Sequence, residues 1–204
     1  MVLRKQALAH FREVDPVIYS AAVKHVVKLS PPQPSEVYFE RLCRSIVGQQ
    51  LSTKAAATIW GRFEELVGSM IQPEIVLKIE HEKYREAGLS NAKARYVRGI
   101  AEAVVEREIE LESVGELEDE EVVEYLTRLK GVGRWTAEMF CMFTLGRSDL
   151  FSVGDLGLKR AVEKLYGLEN PRAEELVVLA EKWSPYRTYA CRVLWESLDN
   201  NPDV

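Results

Sequence analysis

The residues most able to do chemistry lie in Leu129-Lys130-Gly131-Val132-Gly133-Arg134-Trp135-Thr136-Ala137. Two glycines flank an apolar residue between two segments of helical pattern. Glycine permits a very tight turn and close approach of backbone to a ligand. The first amides of the following helix have no intrahelical partner and are ready to bind an anion. For a hairpin on a protein surface, a DNA phosphate is a natural anion. A plain structural turn accounts for the same glycines. A dinucleotide fingerprint does not, because Thr136 stands where the third glycine of GxGxxG belongs and no strand precedes it. A phosphate-binding P-loop is excluded as well, since no Gly-Lys-Ser/Thr follows.

A second position of interest is Asp155 in Phe151-Ser152-Val153-Gly154-Asp155-Leu156-Gly157-Leu158-Lys159-Arg160. Read from its neighbours alone, it is a helix N-cap ahead of Leu158 and Ala161 on one stripe. The three cysteines, Cys43, Cys141 and Cys191, are far apart and form no CxxC pair, which argues against a zinc or iron–sulfur site. His10, His25 and His81 show no ligand spacing.

The elements that must position these residues are helical almost throughout, and the fold class expected is all-α. Ser35 is expected to cap a helix with Tyr38, Leu42 and Ile46 on one face, broken at Gly48 to Leu51. Ser52 caps the next, with Ala56, Ile59, Trp60 and Phe63 as its apolar stripe. Ser90 starts another through Tyr96, Ile100 and Val104. Asp119, Glu120 and Glu121 suit a helix N-terminus, ahead of Val122, Tyr125, Leu126 and Leu129. After the glycine turn a helix begins near Arg134 and carries Ala137, Phe140, Cys141 and Thr144. Asp155 opens a further helix with Leu158, Ala161, Val162 and Leu165. Pro171 and Ser184-Pro185 are start signals for the last helices, and Pro31-Pro32-Gln33-Pro34 reads as a linker.

The chain has 204 residues, 47% of them hydrophobic and 29% charged, which suits one large domain or two small lobes. No run of about 18 apolar residues is present, so no membrane span is expected, and no signal-peptide run opens the chain. A cytoplasmic protein, or a nuclear one in a eukaryote, is expected. The net charge of −5 at first argues against nucleic acid, but it is unevenly spread. Residues 102–124 hold eleven acids and one base, whereas the remainder carries 26 bases and 21 acids, a net of +5. Local sign matters more than total charge for a DNA face, and the acidic run reads as a solvated helix end and loop.

The glycine hairpin followed by Asp155 resembles the helix-hairpin-helix–Gly/Pro/Asp DNA glycosylase superfamily. Further matches are Ser45-Ile46-Val47-Gly48-Gln49-Gln50-Leu51-Ser52, Ala87-Gly88-Leu89-Ser90 with Lys93 and Ala94, and Trp183-Ser184-Pro185-Tyr186-Arg187-Thr188-Tyr189-Ala190. The likeness extends from about Ser35 onward and is closest to the alkylation-repair branch, 3-methyladenine DNA glycosylase II of the AlkA or Mag type. It implies a monofunctional N-glycosyl hydrolase acting on alkylated purines in damaged double-stranded DNA, with Asp155 as its catalytic carboxylate. Bifunctional relatives carry a nucleophilic lysine where this chain has Trp135, so the resemblance implies attack by water. A cationic alkylated base is already a good leaving group, and a carboxylate stabilises the oxocarbenium-like sugar and orients water.

By the same resemblance, Trp135 and Trp195 are aromatic walls of the base pocket, with Tyr38 a weaker member. Met139 stands where the branch often has an aromatic. Gln50, or else Leu51, fills the gap left by the flipped base, with Gln49 and Gln50 otherwise simple loop caps. Gly131, Gly133, Arg134 and Thr136 belong to the DNA-binding hairpin at 129–137. Backbone carbonyls of Thr127, Leu129 and Val132 match those that hold a sodium or potassium ion in family hairpins. No cofactor is required, and no iron–sulfur cluster is expected. The implied architecture is a central lobe of residues 35–148, with 1–34 and 149–204 building a second lobe and the active-site cleft between them. The separate β-rich domain of some relatives is not expected, and a monomer is. The alternatives are a glycosylase for deaminated or oxidised bases and a non-catalytic helix-hairpin-helix DNA-binding protein.

Overall fold

The computed structural model describes residues 2–68 and 70–199, and all of the regular structure there is helical. The last residues of the expected second lobe, 200–204, lie outside the described residues. The chain divides into two units, residues 1–31 with 146–204 and residues 32–145. The junctions fall slightly before the expected 34/35 and 148/149, at the first Pro-Pro pair and at Gly146.

The first unit opens with α1 (Val2–Val14) and α2 (Pro16–Lys24). Asp15 separates them. Its Oδ1 accepts from the amides of Val17 and Ile18 at 3.0 and 3.2 Å, an N-cap with proline at the first helical position. Its Oδ2 accepts from the Tyr166 hydroxyl at 2.7 Å and the Trp183 indole at 2.9 Å. One buried carboxylate thus satisfies a helix end and two aromatic donors, as burial of polar groups requires.

The second unit runs from a 3-10 turn at Ser35–Val37 through α3 (Tyr38–Gly48), α4 (Thr53–Val67), α5 (Pro73–Lys78), α6 (His81–Glu86), α7 (Asn91–Val105), α8 (Asp119–Thr127) and α9 (Arg134–Phe143). Ser52 and Ser90 cap α4 and α7 through the amides of Ala55 and Lys93, as expected. In α8, Glu121 reaches back to the amide of Glu118 at 2.9 Å. α3 packs on α4, α7 and α9, and α8 packs on α9. Every residue of α9 from Thr136 to Met142 is buried, so the helix after the glycine turn runs through this unit's core.

The chain then returns to the first unit with α10 (Leu156–Tyr166), α11 (Ala173–Glu181) and α12 (Arg187–Asp199). α12 packs on α10 and α2. α10 ends at Gly167 in the left-handed conformation that glycine supplies.

Four local expectations are corrected. Ser35 is not a cap: after Pro34 the chain makes a 3-10 turn and α3 begins only at Tyr38. Pro171 precedes the cap instead of occupying the first turn, because Glu175 takes the amide of Arg172 at 2.8 Å and α11 starts at Ala173. Ser184-Pro185 does not start the last helix; α12 begins at Arg187, whose amide is taken by Asp149. The buried face of α7 is Ala94, Val97, Ile100 and Ala101, while Tyr96 is turned toward Gly131.

Candidate active site and nucleic-acid interface

Asp155 is the N-cap of α10. Its Oδ1 accepts from the Leu158 amide at 2.7 Å and from the Trp195 indole Nε1 at 3.1 Å. The side chain is a charged group that is only 8% exposed. Two N–H groups from different helices therefore fix its orientation, and the capping role joins the expected catalytic one. Trp195 is half-buried on α12, and its N–H points at the carboxylate. The expectation of a stacking wall gains a second, polar role.

Gly157 makes this contact possible. A Cβ there would lie 3.0 Å from Asp155 Oδ1 and 3.3 Å from Trp195 Cδ1 and Nε1. Sequence reasoning missed this residue, since its backbone is ordinary and only the tertiary neighbours require glycine. Leu156, beside the carboxylate, is 70% exposed, an unusual setting for leucine.

The loop that delivers Asp155 is stitched to the start of α12. Asp149 accepts from the Arg187 amide at 3.1 Å, from its guanidinium at 2.8 and 3.0 Å, and from the Ser184 hydroxyl at 2.8 Å. Burial raises the Asp149 carboxyl, but the bonds from Arg187 and Ser184 outweigh it and hold the group below its usual value. The Thr188 amide donates to Ser148 O, and its hydroxyl accepts from the Leu150 amide. Cys191 packs behind, donating to Leu150 O, and burial raises its thiol. Such a thiol is a structural side chain, not a nucleophile.

In the other unit the two hairpin glycines differ. Gly131 has φ +96, and a Cβ on it would lie 2.4 Å from the ring of Tyr96. Gly133 caps α9 with φ −89 and has nothing within 4 Å of a Cβ. The protein's own packing demands the first glycine and leaves the second facing open space. Trp135, on the first turn of α9, is 46% exposed.

The side chains of Arg134 and Thr136 are both engaged within the protein. Arg134 donates to both Glu120 oxygens at 2.7 Å and to Glu138 at 2.9 Å. The bond from Arg134 holds the Glu120 carboxyl below its usual range. Thr136 is 4% exposed, and its hydroxyl accepts from Gln49 Nε2 at 3.1 Å. Tyr38 is 6% exposed, packs edge-on to Phe140 and faces Gly115. Met139 is likewise buried.

The loop after α3 is braced from two sides. Gln49 Nε2 also donates to Gly131 O at 3.0 Å, and Lys93 Nζ donates to Val47 O at 2.9 Å and Gln49 O at 2.6 Å. Burial pulls the Lys93 ammonium below its ordinary value. Gln49 is thus a strut tying the loop to the hairpin. The next residue, Gln50, is exposed with φ 56, a left-handed conformation uncommon outside glycine. Leu51 is 37% exposed. Strain held in place by neighbours is a feature of functional loops.

Thr127 is the last residue of α8, where helical carbonyls run out of intrahelical partners, and beyond it Leu129 O accepts from the Val132 amide at 3.0 Å. Neutral oxygens of this kind suit a hard monovalent cation. Among the described residues no helix is long and apolar enough to cross a membrane.

The chain is similar to known proteins over most of its length. The family model for HhH-GPD superfamily base excision DNA repair proteins matches residues 43–185. The alkylbase DNA glycosidase-like protein mag2 of Schizosaccharomyces pombe is 32% identical over 94% of this chain and 92% of its own length. A crystal structure of a DNA-3-methyladenine glycosidase from Bacillus halodurans is 38% identical with a TM-score of 0.81, covering 94% of this chain and 88% of that one. The Schizosaccharomyces pombe 3-methyladenine DNA glycosylase Mag1, solved in complex with abasic DNA, is 31% identical with a TM-score of 0.84, covering 98% of both chains. The matched span takes in the glycine hairpin and Asp155, and this chain belongs to the HhH-GPD superfamily of base excision DNA repair proteins.

Proposed function

We propose that the protein is a monofunctional DNA glycosylase that hydrolyses the N-glycosidic bond of alkylated purines, of the 3-methyladenine and 7-methylguanine class, in duplex DNA. The observation that carries this reading is the pose of Asp155, a nearly buried carboxylate fixed by the Leu158 amide and the Trp195 indole. The relatives named above support the substrate class.

The bond from C1′ to the base nitrogen breaks, and its electron pair leaves with the base. A ring-alkylated purine is cationic before departure, so it leaves neutral and needs no general acid, unlike the leaving groups of two-carboxylate glycosidases. Positive charge grows on the sugar, and the Asp155 carboxylate stabilises it. Water adds at C1′ and gives its proton to Asp155. Fixed donors on Oδ1 keep the carboxylate from reorienting during the reaction, which is what preorganisation requires.

The roles of the remaining residues are those the family resemblance assigns. Trp135 and Trp195 each offer an aromatic ring suited to stacking on an electron-poor extruded base, and Met139 is assigned to the base pocket by the resemblance. Gln50, with Leu51 beside it, fills the vacated place in the duplex; a braced, strained loop suits that task. Open space at Gly133 lets a phosphate reach the first amides of α9. Carbonyls of Thr127, Leu129 and Val132 would hold a monovalent cation whose charge adds to the pull on that phosphate.

A base-release panel tests the reading. Duplex DNA carrying 3-methyladenine or 7-methylguanine should lose the modified base, leaving an abasic site. Release confined to a deaminated or oxidised base would move the protein to another lesion class. Binding with no release from any lesion would make it a non-catalytic DNA-binding protein.

A further inference from the structure

Glu120 and Glu138 oppose the charge of Arg134, so the unopposed cations nearest the hairpin are other side chains. Two are at hand. Lys130 immediately precedes Gly131, and Arg95 lies on α7; both are exposed, and neither has an acidic partner among the described residues. Together with His81, Tyr96, Arg98 and Glu102 they line a single concave pocket of about 400 Å³. Arg98 is committed elsewhere, donating to Leu77 O at 3.2 Å and Ile79 O at 2.8 Å, and its charge is opposed by Glu102 at 3.9 Å. His81 is bonded to Asn91 at 3.1 Å. The unopposed charge of the pocket is therefore that of Arg95 and Lys130.

Tyr96 joins this pocket to the hairpin. Its ring lines the pocket and also backs Gly131, where a Cβ would lie 2.4 Å away. The glycine turn and the basic pocket are two faces of one wall. A ligand held by the amides of α9 passes next to the pocket, and its chemistry must be anionic and repeating for both to be filled. A DNA strand meets both conditions.

We propose that Arg95 and Lys130 bind a backbone phosphate of the strand gripped by the hairpin, extending the DNA footprint onto α7. This rests on the glycosylase reading above. Such a contact supplies affinity and register without reading sequence. It also gives a protein with a net charge of −5 a local basic contact, with Glu102, the one acid lining the pocket, set against Arg98.

The test is fluorescence anisotropy with a duplex bearing a stable abasic-site analogue, titrated at several salt concentrations. Each neutralised phosphate contributes about 0.9 to the slope of log affinity against log salt. The Arg95→Ala/Lys130→Ala variant should lose about 0.9 in slope and bind roughly ten-fold more weakly near 0.1 M salt. Far-UV circular dichroism checks folding, and Arg95→Gln/Lys130→Gln removes the same charge with less loss of side chain. A folded variant of either kind that keeps the slope and affinity of the unaltered protein overturns the proposal alone. Failure of the unaltered protein to bind the duplex overturns the glycosylase reading and this inference with it.

Discussion

The indole nitrogen of Trp195 donates to Asp155 Oδ1 across 3.1 Å, joining residues 40 apart in sequence. Gly157 sits against both, and a Cβ there would lie only 3.0 Å from the carboxylate and 3.3 Å from the indole. The ring proposed to wall the base pocket thereby also orients the carboxylate proposed to do the chemistry. Trp195→Phe keeps the ring and removes the donor. It should slow single-turnover base release by about ten-fold or more, the worth of one hydrogen bond to a charged group. Gly157→Ala should do the same by pushing the pair apart. In both, the DNA concentration at half-saturation should stay near its original value, because positioning acts on the rate. Loss of binding in place of rate would refute this role.

Asp155→Asn keeps an acceptor but removes the charge. Base release should fall by at least about a hundred-fold, or ~3 kcal/mol of transition-state stabilisation, with DNA binding largely retained. Near-normal turnover in a quenched single-turnover assay would exclude Asp155 as the catalytic group.

The two hairpin glycines should separate in experiment. Gly131→Ala meets the Tyr96 ring at a positive φ and should destabilise the fold by about 1–3 kcal/mol. Gly133→Ala has an allowed backbone and open space, so its thermal midpoint should hold while DNA affinity drops. Thermal melts and anisotropy on both variants decide this. Equal destabilisation by the two would mean that both serve the turn alone.

Trp135 offers no amine for attack on the sugar. Incubation with methylated duplex and sodium borohydride should trap no covalent protein–DNA adduct, because no Schiff base forms. An adduct on a denaturing gel would show a lyase activity and a different nucleophile.

The Asp149–Arg187 pair predicts a pH dependence of stability. The carboxyl of Asp149 is held below its ordinary value in the folded protein. Its stabilisation is thus fully present above the unfolded-state value near 4 and is lost as pH falls through the folded value. Asp149→Asn should lower the melting temperature at neutral pH and flatten the decline measured between about pH 5 and pH 3. An unchanged acid profile would mean that the bridge adds nothing to the folded state.

Much of the molecule was legible in its sequence. Ser52, Ser90, the acids at 119–121 and Asp155 mark helix starts because a cap acts on amides two or three residues away. The Gly131-Val132-Gly133 turn, and the aspartate after it, could be placed by the same local chemistry together with the family pattern. The expectations that failed at Ser35, Pro171 and Ser184-Pro185 were also local, but a preceding proline, Glu175 and Asp149 claimed the relevant amides first.

What only the tertiary structure decided is which partner each polar group finds. Arg134 chose Glu120 and Glu138, and Gln49 reached the hairpin 82 residues on. Asp149 closed on Arg187 across 38 residues, and Asp155 received Trp195 across 40. Sequence chemistry determines what a side chain can donate or accept and where a helix begins. Which donor comes within 3 Å is set by helix packing, and packing depends on apolar contacts summed over a whole unit. For this protein the sequence named the carboxylate, while the fold supplied the indole and the glycine that aim it.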